Sequence, residues 1–152
     1  MKNKILVSVV MPAFNAEKYI ERGIKSIQKQ TFKDFELIII DDTSSDNTLP
    51  IVYNIAKTDK RIRVLPNPNN LKIALSLNKG VSLAKSNLVA RMDPDDIALP
   101  NRLAYQYDYM SKHPNVAIVG ADILIINEKE KIISSRTYPT ASRELKKIMF
   151  RY

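Results

Sequence analysis

The chain has 152 residues, a formal charge of +8 and no cysteine. That length supports one domain with a real core, and 45% hydrophobic with 26% charged residues is the balance of an ordinary globular protein. The missing thiols exclude a disulfide framework and any thiolate metal site, and they agree with a reducing compartment.

No uninterrupted apolar run approaches the ~20 residues needed to span a bilayer. The opening stretch, MKNKILVSVVMPAFN, is too short in its apolar core for a signal peptide and lacks a small-residue cleavage site, so strand character explains it better. The basic residues are spread along the chain without a dense block or interleaved aromatics. They read as a lysine-rich solvated surface and not as a nucleic-acid surface. The same charge could attract anionic phosphates or an acidic membrane face.

Apolar runs alternate with amphipathic segments, the pattern of βαβ units on a mainly parallel sheet. Ile5 to Met11 reads as a buried strand and Pro12 to Ala16 as a loop. Glu17 to Gln30 reads as a helix with Tyr19, Ile20, Ile24 and Ile27 along one face. Phe35 to Ile40 is a second buried strand, and Asp41 to Asn47 a polar loop in which Asp46 can cap the helix from Thr48 to Lys57. Pro50 is tolerable there only near the first turn. Arg61 to Leu65 is a third strand, Pro66 to Asn70 a turn, Ile73 to Ala84 a helix, and Leu88 to Met92 a fourth strand. Pro100 opens a helix that runs to about His113, ahead of Pro114. Val116 to Val119, Asp122 to Ile126 and Lys131 to Ser135 look like further strands of antiparallel kind, and Ser142 to Phe150 like a final helix.

Three strand ends carry polar or acidic residues: MPAFN, DDTSSDNT and MDPDD. In open α/β sheets, ligands bind beyond the carboxyl ends of the strands. Asp42 could accept from a nucleobase N–H while Phe14 lies against the base. The local alternative is that Asp41, Asp42, Ser44 and Asp46 cap the next helix and satisfy loop amides, with Phe14 in the core. In MDPDD, Pro94 pushes Asp93 into an extended conformation. Extended backbone would then point Asp93 and Asp95 to one side and Asp96 to the other. Two such carboxylates suit Mg²⁺ or Mn²⁺, which would neutralise charge on a leaving diphosphate. The competing account is an Arg91–Asp93 ion pair, with Asp96 as a helix cap. Tyr105 and Tyr109 share a helix face, which favours packing or a homodimer contact over base stacking. His113, at a helix end, has a cap or surface role.

Taken in order, these segments resemble the family 2 glycosyltransferases. The turn P-x-[FY]-N appears as Pro12-Ala13-Phe14-Asn15, and Q-T-[FY]-x-D-[FY]-E as Gln30 to Glu36. The DDGSTDNT-like loop is Asp41 to Thr48, the Asn-x-Gly…Leu-Asn-x-Gly stretch spans Asn70 to Gly80, and the DxDD loop is Asp93 to Asp96. Pro100, Arg102 and Leu103 follow it, and the match runs to about Gly120. The resemblance implies a three-layer α/β/α fold of the nucleotide-diphospho-sugar transferase (GT-A, Rossmann-like) kind. It implies nucleotide-sugar contacts from Pro12, Ala13, Phe14, Asn15, Asp42, Asn70 and Asp93, and a divalent cation, Mn or Mg, on Asp95 with Asp93. The implied reaction is inverting transfer of a sugar from a nucleotide-diphosphate donor to a hydroxyl of a glycan or lipid-linked acceptor, as in surface polysaccharide synthesis. The implied setting is the cytoplasm, including peripheral attachment at the inner membrane face, without nucleic acid.

Thr43 stands where the family's DDG loop has glycine, and Lys72 and Ser86 stand where glycines are common. A positive φ at any of them would cost about 1 kcal/mol, so altered loop paths are expected. Leu77 replaces an arginine that approaches the donor in many members. An inverting transfer needs a general base. Asp108, Asp122, Glu128 and Glu130 sit in no base motif, and the family's base is expected beyond this chain. Residues 1–152 thus read as the donor-binding part of a catalytic domain cut short on the acceptor side, a weak or inactive catalyst by itself. A nucleotidyltransferase would want a Gly-rich, basic phosphate loop after the first strand, and PAFNAEKY offers none. A receiver-like switch lacks its lysine-bearing strand end. A phosphatase would need Thr or Val after MDPDD's second aspartate.

Overall fold

A computed structural model of the chain describes residues 4–141 and 143–145. It has two compact units, Met1–Lys112 and His113–Tyr152.

The first unit alternates strand and helix throughout: β1 Val7–Ala13, α1 Ile20–Gln28, β2 Phe35–Asp41, α2 Thr48–Ala56, β3 Ile62–Pro66, α3 Lys72–Ser82, β4 Val89–Arg91 and α4 Arg102–Lys112. The four strands form one parallel sheet in the order β3-β2-β1-β4. From β1 the chain steps outward to β2 and β3, then crosses back to place β4 on the other side of β1. Right-handed crossovers in opposite directions put their helices on opposite faces. That is the arrangement found: Val9, Met11, Leu37 and Ile39 face Ile20, Ile24 and Ile27 of α1 and Val52 of α2, whereas Val10 and Ile40 meet α3 at Gly80. The result is the three-layer α/β/α fold.

Every residue of β1 and β2 is buried, as expected of central parallel strands. Burying each isoleucine or leucine contributes about 2–3 kcal/mol. α3 lies so close to the sheet that a Cβ on Gly80 would run into the Val10 side chain. Glycine is required there by proximity and not by an unusual dihedral.

β1 continues two residues past the expected Met11, so Pro12 and Ala13 belong to the strand and not to a loop. The Ser8 amide and the Val10 carbonyl both bond toward the β4 side. Pro12, of the same parity, therefore directs its missing N–H to that side, where the ladder has already ended at Val10 and Arg91. Helix α1 starts at Ile20, after a turn in which Tyr19 N–H donates to the Ala16 carbonyl.

In the second unit, β5 Ile123–Ile126 and β6 Ile132–Arg136 form an antiparallel hairpin. Asn127 Oδ1 accepts the amides of Lys129 and Lys131 and fixes its turn. No strand forms at 116–119, where no ladder partner is paired with the segment. Residues 143–145 are helical, and the rest of the expected 142–150 helix lies outside the described residues.

Candidate nucleotide-sugar site

The strand order reverses at β1, so the crevice predicted for such a sheet lies beyond the carboxyl ends of β1 and β4. A hollow of about 270 Å³ opens there. β1 contributes Pro12 and Ala13, followed by Phe14; Asp42 follows β2. Asn70, Lys72, Ile73 and Ser76 come from the start of α3, and Pro94 from the acidic turn after β4. The structure thus brings together five residues expected from the sequence: Pro12, Ala13, Phe14, Asp42 and Asn70. Phe14 is 51% exposed and not a core residue, which leaves a ring face for a flat ligand.

The loops after β1 and β2 hold one another. Asn15 N–H donates to Ser44 Oγ at 3.0 Å, and Asn15 Oδ1 accepts the Ser45 amide at 2.8 Å. Glu17 N–H donates to Asp46 Oδ2, and Glu17 Oε2 accepts the Asn47 amide. Asp46 Oδ1 also takes the Thr48 amide, the expected cap on α2. Asn15, with φ 48°, therefore works as a loop fastener and does not line the hollow.

The two aspartates ending β2 point to opposite faces. Asp41 turns toward its own loop: Oδ2 accepts the Ser44 amide at 3.2 Å, and the buried Oδ1 has no partner among the described residues. Asp42 turns toward α3. Its Oδ1 accepts from Asn67 Nδ2 (2.7 Å), the Leu71 amide (2.8 Å) and Ser76 Oγ (3.0 Å). Its Oδ2 accepts the Lys72 amide at 2.8 Å. Burial would raise the Asp42 pKa, but these hydrogen bonds outweigh it and hold the carboxyl below its ordinary value. The helix Asp42 fastens is α3, the second one along, not the α2 that follows it. Lys79 Nζ donates to Asn67 Oδ1 at 2.6 Å and orients the Asn67 amide toward Asp42.

Of the three positions where glycine is usual, two take a left-handed backbone: Thr43 and Lys72 each have φ 66°. Asn67 ties Thr43 to Asp42: its carbonyl accepts from Thr43 Oγ1 and its Nδ2 donates to Asp42 Oδ1. The bonds from the Lys72 amide to Asp42 and from Asn70 Nδ2 to the Asp42 carbonyl favour that backbone over relaxation. Ser86 has no positive φ; its hydroxyl donates to the Leu6 carbonyl instead.

The acidic residues after β4 form a tight turn, closed by Asp96 N–H to the Asp93 carbonyl at 3.3 Å. The chain therefore turns at Pro94 and Asp95, where a run extended through Asp95 was expected. Pro94 and Asp95 take the corner positions, which suit proline at the second residue of a turn. Arg91 grips Asp93 with Nε and Nη2, all contacts 3.1 Å, so the ion pair weighed from the sequence is present. Asp96 titrates above its ordinary value: loss of solvent is the larger cause, followed by the negative charges of Asp95 and Asp93. Among the described residues no three acidic or histidine side chains converge into a ready-made metal cage. An all-oxygen turn still fits Mg²⁺ or Mn²⁺, which are bound by one or two carboxylates plus phosphate oxygens and water.

Helix α1 sets the turn's position. A Cβ on Gly23 would meet the Pro94 carbonyl at 2.7 Å. Ser26 Oγ accepts the Ala98 amide at 3.0 Å. Buried Gln30 donates to the Leu99 carbonyl at 2.7 Å and accepts the Leu103 amide at 3.0 Å. Sequence reading did not assign Gly23, Ser26, Asn67 or Ser76 to the site. The i, i+4 spacing of Lys72 and Ser76 on a helix opening next to the turn was the available signal.

This is a doubly wound α/β domain with its hollow at the point where the strand order reverses. The chain belongs to glycosyl transferase family 2, whose profile matches residues 8–151. It is 41% identical over 140 residues to an uncharacterized glycosyltransferase of Haemophilus influenzae, covering 92% of this chain and 43% of that one. It is 34% identical over 152 residues to the O-antigen biosynthesis glycosyltransferase WbnJ of Escherichia coli, covering 96% and 57%. It is 38% identical over 122 residues to the UDP-Glc:alpha-D-GlcNAc-diphosphoundecaprenol beta-1,3-glucosyltransferase WfgD of Escherichia coli, covering 80% and 47%. The chain spans about half the length of these relatives. Among solved structures it is similar to S. aureus TarS in complex with UDP-GlcNAc, with TM-score 0.67 and 28% identity over 72% of this chain and 32% of TarS. The mannosyltransferase PcManGT from Pyrobaculum calidifontis, in complex with GDP-Man and Mn²⁺, shares the fold at TM-score 0.66 and 22% identity, covering 72% of this chain and 33% of that one.

Proposed function

We propose that the chain is the donor-binding part of a glycosyltransferase. It binds a nucleotide-diphosphate sugar for inverting transfer to a hydroxyl of a glycan or lipid-linked acceptor in surface-polysaccharide synthesis. The observation that carries this reading is one hollow lined by Phe14, Asp42, Asn70 and Pro94 of the acidic turn. The ring of Phe14 stacks on the base, Asp42 accepts a base N–H, and Asn70 shapes the wall beside it. The acidic turn faces the diphosphate. Asp95, together with Asp93, would hold a divalent cation, which would neutralise charge on the leaving diphosphate.

The activity in WfgD's name supports a nucleotide-sugar donor and a lipid-linked acceptor, and UDP-GlcNAc in TarS supports the donor class. No helix among the described residues is long and apolar enough to cross a membrane. The proposed setting is the cytoplasmic face of a membrane, where lipid-linked acceptors are reached peripherally. The base that deprotonates the acceptor is assigned to the acceptor side of the catalytic domain.

Calorimetric titration with uridine, guanosine and thymidine diphosphates, each with and without Mn²⁺, tests the reading. Metal-dependent binding of at least one nucleotide is the expected result. No binding of any, with or without metal, would overturn it.

A further inference from the structure

Arg61, Arg63 and Arg91 each pair with a carboxylate, and the third pair is built unlike the other two. The Glu36 side chain, 3% exposed, accepts from Ser8 Oγ and the Lys85 amide as well as from Arg63. The Asp59 side chain, 12% exposed, accepts from Gln28 Nε2 as well as from Arg61. Both carboxylates are locked in place by several partners. The Asp93 side chain is 35% exposed and that of Arg91 57%. Among the described residues the Asp93 carboxylate accepts from Arg91 alone.

The Arg91 backbone is fixed while its side chain is not. Its carbonyl accepts from Arg102 Nη2 at 2.9 Å, and the next amide, of Met92, donates to the Val10 carbonyl at 3.0 Å. The guanidinium lies on a water-facing surface, where it can swing without disturbing the core. It keeps its charge at any working pH, so it cannot vacate Asp93 by losing a proton. It leaves only by exchange with another cation. Arg102 is no substitute for it, since its donors are taken by the Arg91 carbonyl and the Met92 sulfur. Pro94, three residues on, lines the hollow, so this exchangeable pair stands at the rim.

The inference rests on the donor reading above. For Asp93 to accept a divalent cation, Arg91 must let go. With a cation alone, the freed guanidinium is left beside a second positive charge. With a diphosphate present, the guanidinium gains an anion that suits its planar fork of donors. We propose that Arg91 is a built-in counter-ion that competes with the cation for Asp93 and passes to the diphosphate. Cation and nucleotide therefore bind as a pair, each strengthening the other by the same factor.

Mn²⁺ titration followed by the paramagnetic resonance signal of the free ion tests this. It is run with and without UDP or GDP, against protein-free blanks, for the parent, Arg91→Met and Arg91→Lys. Methionine keeps an unbranched stem on the edge strand and removes the charge. Without nucleotide, Arg91→Met is expected to bind Mn²⁺ about fivefold tighter than the parent, the upper range for an exposed ion pair. The gain in Mn²⁺ affinity on adding whichever nucleotide binds should be at least about fivefold smaller in Arg91→Met. Arg91→Lys keeps the charge without the fork and should fall between the two. Equal or weaker Mn²⁺ binding by nucleotide-free Arg91→Met, or an undiminished nucleotide effect, would overturn the role of Arg91 and leave the donor reading intact. A parent that binds neither nucleotide, with or without Mn²⁺, would end both.

Discussion

Glu36 and Asp42 stand six positions apart on the same face of the β2 line, and each fastens one end of α3. Glu36 Oε1 accepts from Ser8 Oγ and the Lys85 amide just past the helix, and Oε2 accepts Arg63 Nη1 at 2.8 Å. Asp42 takes the Leu71 and Lys72 amides at the start of the helix. An 11-residue helix is about 16 Å long and six strand residues about 20 Å, so the two anchors match in span. The carboxylate at the far end of the sheet thereby helps set where the hollow's helical wall begins.

Glu36→Gln should cost about 2 kcal/mol in urea unfolding, because it removes the charge from bonds to Arg63 and the Lys85 amide in a buried setting. The acid response follows from the same bonds. Burial, the largest single influence on Glu36, raises its pKa, but the Arg63, Lys85 and Ser8 bonds bring it below the ordinary 4.5. Asp42 is likewise below 3.8, and Asp59 falls to about 2, first through its bond with Arg61. Depressed carboxylates contribute stability above their unfolded values and lose it as pH falls through the folded ones. Unfolding free energy should therefore decline from about pH 4.5 downward, and Glu36→Gln should flatten the upper part of that decline. Equal slopes in both proteins would remove Glu36 from the account.

Thr43→Gly should raise stability by about 1 kcal/mol. A β-branched residue at φ 66° is crowded against its own backbone. Glycine relieves that, less the entropy it adds to the unfolded chain. The Thr43 Oγ1 bond to the Asn67 carbonyl is long at 3.3 Å, so its loss subtracts little. Urea midpoints of the two proteins decide it, and a lower midpoint for glycine would mean the threonine hydroxyl matters more than the strain.

The fold was legible because β1 and β2 are apolar runs broken only by Ser8, Glu36 and the terminal Asp41, and α1 repeats isoleucine at 20, 24 and 27, patterns that local sequence carries whole. The hollow's lining was legible where residues end strands. It failed where geometry depends on partners distant in sequence. The turn at Asp93 to Asp96 is shaped by Gly23, Ser26 and Gln30, some seventy residues earlier, and parity along an assumed extended strand could not see them. Thr43 and Lys72 take a left-handed backbone because Asn67, Asn70 and Asp42 hold it there, again across separate loops. At 116–119 the apolar pattern was strand-like but no neighbour paired with it.

Gln30→Leu should cost about 2 kcal/mol, since it leaves the buried Leu103 amide and the part-buried Leu99 carbonyl without their Gln30 partner. Its second effect separates positioning from bulk stability. Freed from α1, the acidic turn loses its fixed place, so Mn²⁺ should enhance nucleotide binding less in the variant, measured where both proteins remain folded. A variant that is less stable yet responds to Mn²⁺ as the parent does would restrict Gln30 to holding the core.

Asp95→Ala addresses the cation itself. Three carboxylates lie within four residues, and the charges of Asp95 and Asp93 contribute to raising the Asp96 pKa, so the turn is electrostatically strained without a counter-charge. Arg91 neutralises Asp93, and Arg102 bonds the Arg91 carbonyl and the Met92 sulfur and not a carboxylate. Asp95, exposed like Asp96, has no such partner among the described residues and stands at the turn's corner next to Pro94, which lines the hollow. Removing it relieves repulsion, so the thermal midpoint should hold or rise slightly. The Mn²⁺ enhancement of nucleotide binding should disappear, while metal-free affinity stays within about twofold because the Asp42 and Phe14 contacts are untouched. Calorimetry at fixed nucleotide with increasing Mn²⁺ reads both quantities together. Undiminished metal enhancement in Asp95→Ala would move the cation to other ligands.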